Sequence, residues 1–89
     1  MKKRGKIDNN QKVIVDVLRK VPGVTVKSTA SLGDGFPDII VGYREKNYLF
    51  EIKSGKGKLT PMELDFFAGW HGQVDVVTDV MQILDVIFS

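Results

Sequence analysis

The stretch Pro37-Asp38-Ile39-Ile40-Val41-Gly42-Tyr43-Arg44-Glu45-Lys46-Asn47-Tyr48-Leu49-Phe50-Glu51-Ile52-Lys53 decides the fold. Its first limb, Asp38 to Tyr43, is rich in β-branched residues and predicts a strand. Asn47 to Lys53 predicts its partner, across a polar turn around Arg44-Glu45-Lys46. The two limbs make a hairpin. Because successive side chains of a strand point to opposite faces, Glu51 and Lys53 face the same way. If Glu45-Lys46 form a two-residue loop, Arg44 lies opposite Asn47, and counting outward sets Asp38 opposite Lys53, on the face of Glu51. A three-residue loop would set Asp38 opposite Ile52, on the other face, so the register decides whether the three charges meet.

Charged groups at the end of an apolar hairpin are costly to desolvate unless they are paired or bind a cation. Asp38 and Glu51 form a sparse hard-oxygen pair of the kind Mg²⁺ accepts, with the Ile52 carbonyl as a further ligand. The absence of cysteine argues against a structural zinc. A divalent ion there would polarise a phosphate and activate water, while Lys53 would hold the nucleophile or stabilise developing negative charge. The plainer alternative makes Asp38 a turn residue after Pro37, and Glu51 and Lys53 a cross-strand or surface ion pair. Strand placement, hairpin geometry and the glycine-rich basic loop after Lys53 agree with one another and favour the site.

That loop, Lys53-Ser54-Gly55-Lys56-Gly57-Lys58, can approach phosphate closely through its glycines and supply charge through Lys56 and Lys58. A flexible surface loop would have the same composition. Ser31 and Asp34, in the Ser31-Leu32-Gly33-Asp34-Gly35 loop, lie just before Pro37. Both are explained most simply as turn residues, with Ser31 kept as a candidate phosphate contact.

The remaining chain reads as alternating elements. Asp8 or Asn9 caps a helix through Lys20, with Val13 and Val17 as its apolar face and Ile14, Leu18 and Val21 as secondary candidates for it, and Pro22-Gly23 ends it. Val24 to Thr29 alternates and predicts the first strand. Thr60, Pro61 and Glu63 form a capping box that starts a second helix carrying Leu64, Phe66, Phe67 and Trp70, whose spacing fits core or a dimer interface. Gly72-Gln73 turns the chain into a last strand, Val74 to Val77. Asp79 then caps a final helix with Val80, Ile83, Leu84 and Ile87. The order is αβββαβα. His71 falls at a helix C-terminus, where a charged imidazole is favoured by the dipole, so it is not assigned a catalytic role.

The chain has 89 residues, which predicts one domain (8–89) behind a basic tail (1–7), with a core thin enough that a second buried interface would help. The net charge of +2 is uneven, since Lys2, Lys3, Arg4 and Lys6 crowd the N-terminus and leave the remainder slightly acidic. That tail would either contact phosphates or simply be solvated. No stretch resembles a signal peptide or a membrane span, so an intracellular, cytoplasmic protein without membrane partners is expected.

Gly35-Phe36-Pro37-Asp38, Glu51-Ile52-Lys53, Lys58-Leu59-Thr60-Pro61 and Trp70-His71-Gly72-Gln73-Val74, behind a helix start at Asp8-Asn9-Asn10-Gln11, resemble the PD-(D/E)xK nucleases, and among them the virus-type replication-repair nucleases. The resemblance covers most of the chain. It implies a compact α/β protein with a restriction-endonuclease-like core, a central mixed sheet flanked by helices. It also implies a Mg²⁺- or Mn²⁺-dependent DNA endonuclease active on branched or otherwise structured DNA, and a homodimer. Asp38 and Glu51 would be metal ligands and Lys53 the catalytic lysine. Two positions depart from the pattern. Gln11 stands where related nucleases carry a helix-borne glutamate, which makes it a candidate site residue without charge. Glu63 stands where a glutamine is common. A non-catalytic nucleic-acid-binding module of the same fold is the alternative that Gln11 favours.

Overall fold

A computed structural model describes residues 9–89. The basic cluster Lys2, Lys3, Arg4 and Lys6, and Asp8 as a helix cap, lie outside the described residues. The described residues form an α/β fold, with a four-stranded mixed sheet and three α-helices among them. The elements are α1 (Asn9–Leu18), β1 (Val24–Ser28), a short 3₁₀ turn (Ala30–Leu32), β2 (Ile39–Tyr43), β3 (Lys46–Ile52), α2 (Pro61–Gly69), β4 (Asp75–Val77) and α3 (Val80–Ile87). In the sheet they run β1-β2-β3-β4; the first three are antiparallel, and β4 lies parallel to β3. No helix among the described residues is long and apolar enough to cross a membrane.

The hairpin turns at Arg44-Glu45, not Glu45-Lys46, because Tyr43 pairs with Lys46 and Gly42 with Asn47. Both turn residues have positive φ, 52° and 67°, the handedness that a tight two-residue hairpin demands of its central residues. The correction moves the register by two residues, so every side chain keeps its expected face, but Asp38 comes level with Glu51 and not with Lys53. Neither strand boundary falls where alternation alone sets it. Asp38 lies at a bend before β2, and Lys53 lies just past β3.

The core occupies one face of the sheet. Ile39 and Val41 of β2, Phe50 and Ile52 of β3, Val24 and Val77 pack against Ile14 and Leu18 of α1 and Ile83 and Ile87 of α3. β3 is buried on its other face as well, through Leu49 and Glu51. In α1, the buried stripe is Gln11, Ile14 and Leu18, whereas Val13 is 58% and Val17 39% exposed. The i, i+4 spacing from Ile14 to Leu18 sets the inward face, and Val13 and Val17 form the neighbouring outward row.

The last strand is only three residues long, yet its pairing with β3 continues through a side chain. The Gln73 amide accepts from the Leu49 N–H at 2.7 Å and donates to the Leu49 carbonyl at 2.9 Å, replacing a strand backbone one step before Asp75 pairs with Phe50. The sequence reading gave Gln73 only a turn role. Leu18→Ala, a fully buried position, is expected to destabilise the fold by about 2–5 kcal/mol in urea unfolding, while Val13→Ala changes it by less than about 0.5 kcal/mol. Equal losses would contradict the packing assigned to α1.

Candidate functional site

Asp38 is set in place by the backbone around it. Thr29 donates from its N–H to the Asp38 carbonyl at 2.8 Å and from Oγ1 to the Pro37 carbonyl at 2.6 Å, while the Asp38 N–H donates to the Phe50 carbonyl at 3.0 Å. The ladder gives out there, and Asp38 Oδ2 accepts the Ile52 N–H at 2.8 Å. The carboxylate is thus tied to the end of β3, beside Glu51. Ile52 itself sends its side chain into the core at 4% exposure.

Glu51 is 2% exposed, in the middle of the most buried run of the sheet. Its Oε2 lies 3.4 Å from Lys53 Nζ, and its Oε1 is buried without a hydrogen-bond donor. A buried carboxylate with one oxygen unpaired is expensive to keep ionised. Burial first, then the neighbouring Asp38 and Glu63 carboxylates, push the Glu51 pKa up to about 8. Burial also raises Asp38, against the Ile52 N–H, which favours its charged form.

Lys53 follows Glu51 by two residues and turns to the same face. Its ammonium meets Glu63 Oε1 at 2.8 Å, closer than it comes to Glu51. Burial lowers the Lys53 pKa, but Glu63 and Glu51 outweigh it and the net shift is upward. For Glu63 burial acts upward, and the Lys53 ammonium with the Thr60 N–H overcomes it to bring the carboxyl down. Glu63 belongs to α2 through a complete capping box: Thr60 Oγ1 accepts from the Glu63 N–H at 3.2 Å, and Glu63 Oε1 accepts from the Thr60 N–H at 2.9 Å.

The start of α2 is pressed against the loop that delivers Asp38. Gly35 has φ of 78°, and any Cβ there would overlap the Met62 carbonyl, so only glycine permits this approach. Next to it, Phe36 packs edge-on against Phe66 at 5.2 Å, and Phe66 stacks on Trp70 at 4.8 Å. No residue of α2 is fully buried, and Met62, Leu64 and Trp70 are exposed.

The other sequence candidates fall in three places. Gln11 is buried on the α1 side of the sheet, and its amide donates to Ser28 Oγ at 3.5 Å, not to Asp38 or Glu51. Ser31 is exposed in the 3₁₀ turn. Lys56 and Lys58 are exposed on the loop between β3 and α2, which bends at Gly55 with φ of 51° and closes through the Gly57 N–H to the Ser54 carbonyl at 2.9 Å. Sequence reading missed Asn10, whose amide lies 3.4 Å from the Lys53 carbonyl and 3.1 Å from that of Thr78, joining α1 to the ends of β3 and β4. A polar residue in the first turn of a helix was the available signal.

Among the described residues, no group of three or more His, Cys, Asp or Glu side chains is set to hold a metal ion. The Asp38–Glu51 pair nevertheless suits a hard divalent cation. Its oxygens are carboxylates, Glu51 Oε1 has no donor, and the third acid, Glu63, is already engaged by Lys53 and Thr60. Compared with protein-family models, curated proteins and solved structures, the chain matches none of them.

Between pH of about 4.5 and 8 the folded chain retains a proton on Glu51 that the unfolded chain has released. Its contribution to stability is therefore complete below the unfolded value and is lost as pH rises through the folded one. In chelator-treated buffer, Glu51→Gln should gain stability relative to the parent across that window, by at most about 1.4 kcal/mol per pH unit. Urea unfolding at several pH values measures it, and a pH-independent difference would remove Glu51 as a strained buried acid.

Proposed function

We propose that this chain is a small Mg²⁺- or Mn²⁺-dependent DNA endonuclease with a restriction-endonuclease-like core, akin to the PD-(D/E)xK nucleases of the virus-type replication-repair group. One observation carries the reading. A glutamate with an unpartnered oxygen is sealed into the central strand, beside an aspartate and with a lysine ammonium at 3.4 Å. Purely structural ion pairs are satisfied by their partners, whereas burial and two neighbouring carboxylates push the Glu51 pKa up to about 8, a cost that a bound cation would offset.

Asp38 and Glu51 would hold the ion, with the Ile52 carbonyl at the same strand end as a further oxygen. When bound, the ion supplies Lewis-acid polarisation of the phosphodiester and promotes ionisation of the attacking water. The chain's own residues do the rest. Asp38, fixed by the Ile52 N–H, and Glu51, fixed by the strand, set the position at which the phosphate is received. Lys53 would offset the negative charge that grows on the non-bridging and leaving oxygens as the attacking water gives up its proton to solvent, its oxygen bonds to phosphorus and the bond to the leaving strand breaks. The exposed Lys56 and Lys58, with the Ser31 hydroxyl, would contact flanking phosphates.

A second copy of the chain is the partner that fits α2, where Met62, Leu64 and, just past its end, Trp70 are exposed on a domain with a small core. Branched DNA suits a two-site dimer better than a monomer. The alternative, a binding module without catalysis, draws support from Gln11, which brings no charge and bonds to Ser28 on the opposite side of the sheet.

Labelled duplex, single-stranded and four-way-junction DNA, incubated with Mg²⁺, Mn²⁺ or EDTA, separate the two. Cleavage is expected with either metal and not with EDTA, and Asp38→Asn, Glu51→Gln and Lys53→Ala should each lower it by at least about 10²-fold with the circular dichroism spectrum unchanged. Binding without cleavage in every condition would select the module. Leu64→Asp should convert a dimer to a monomer in light scattering, and a parent chain already monomeric would remove the second copy.

A further inference from the structure

We infer that Glu63 is a positioning residue, holding Lys53 off Glu51 so that Glu51 keeps an oxygen open to a divalent cation; this rests on the metal-site reading above. Lys53 Nζ has two carboxylates in reach, Glu63 at 2.8 Å and Glu51 at 3.4 Å. In so confined a site the ammonium would close on Glu51 if nothing else held it, since that carboxylate is the more buried and has an unpaired oxygen.

Glu63 is built to prevent this. Its Oε1 is shared between the Lys53 ammonium and the Thr60 N–H, so the acceptor is locked to the first turn of a helix instead of swinging on a free side chain. That turn is in turn fixed by the close approach of Gly35 to Met62 and Glu63. On the opposite side the Lys53 stem runs against Gly57, where an added Cβ would sit 3.5 Å from Lys53 Cβ and Cδ. Stem and head of Lys53 are both held, the ammonium comes no nearer to Glu51 Oε2 than 3.4 Å, and Glu51 Oε1 is left without a donor. A glutamine could complete the same capping box but would grip an ammonium less strongly than a carboxylate does.

Mn²⁺ binding, followed by electron paramagnetic resonance without DNA, tests the inference in a double-mutant cycle. Glu63→Ala should weaken Mn²⁺ binding about tenfold when Lys53 is present, and by less than about twofold in a Lys53→Ala background. Equal weakening in both backgrounds would overturn the inference, since Glu63 would then act by its own charge or as a ligand. Glu63→Gln, which preserves the capping box, carries the same cycle if Glu63→Ala fails to fold, with a loss of about threefold expected. The ¹⁵N signal of the Lys53 ammonium gives a metal-free readout. Its chemical shift should hold in Glu63→Gln and move in Glu63→Ala, as the ammonium passes from Glu63 to Glu51. If the parent takes up no Mn²⁺, the nuclease reading fails while this signal still decides the positioning, and a signal unchanged by Glu63→Ala would overturn it.

Discussion

The burial of one carboxylate in the central strand governs the rest of this structure. Glu51 occupies a position that packing alone would assign to an aliphatic side chain, between Phe50 and Ile52 in a run buried on both faces. An apolar residue there would be the more stable choice for a domain of this size. The Lys53 ammonium at the edge of contact offsets part of the penalty, while the Asp38 carboxylate adds to it and one oxygen is left without a donor. A site satisfied internally would have no affinity to spare for a cation, and an isolated charge would destabilise the fold.

The chain order was legible because each element carries its own local signal. β-branched runs mark the strands, the Thr60-Pro61-Glu63 capping box starts α2, and Asp79 caps α3, where its side chain accepts from the Gln82 N–H. What the sequence withheld was tertiary in origin. Which row of α1 faces the sheet depends on how the helix docks, so Val13 and Val17 could not be told from Ile14 and Leu18 by spacing alone. The turn at Arg44-Glu45 uses two non-glycine residues with positive φ, which propensity places elsewhere. The face shared by Asp38, Glu51 and Lys53 survived because the register differed by an even number of residues. An odd error would have put Asp38 on the opposite side.

The polar contacts that tie the site to the scaffold were illegible for a different reason. Gln73 pairs with Leu49 as a strand would, Asn10 reaches the carbonyls of Lys53 and Thr78, and Glu63 reaches Lys53 across the β3–α2 loop. Each is a long-range bond from a side chain whose local role, as turn, helix start or cap, already accounts for its presence. Glu63 shows the limit most clearly, because its capping bond to Thr60 and its ion pair with Lys53 use the same oxygen. Only the first is written in the local sequence.

That double use also explains how a helix with no fully buried residue can bear on the site. α2 is anchored by its first turn and by an aromatic cluster that holds Phe66 half-buried against Phe36, while Met62 and Leu64 stay exposed. A larger core would hold the helix by area. Here the close approach at Gly35 and a charge-assisted bond do so instead, and both depend on geometry more steeply than apolar burial does. Small displacements of α2 therefore reach the ammonium directly, which couples the surface of this helix to the charge balance around Glu51.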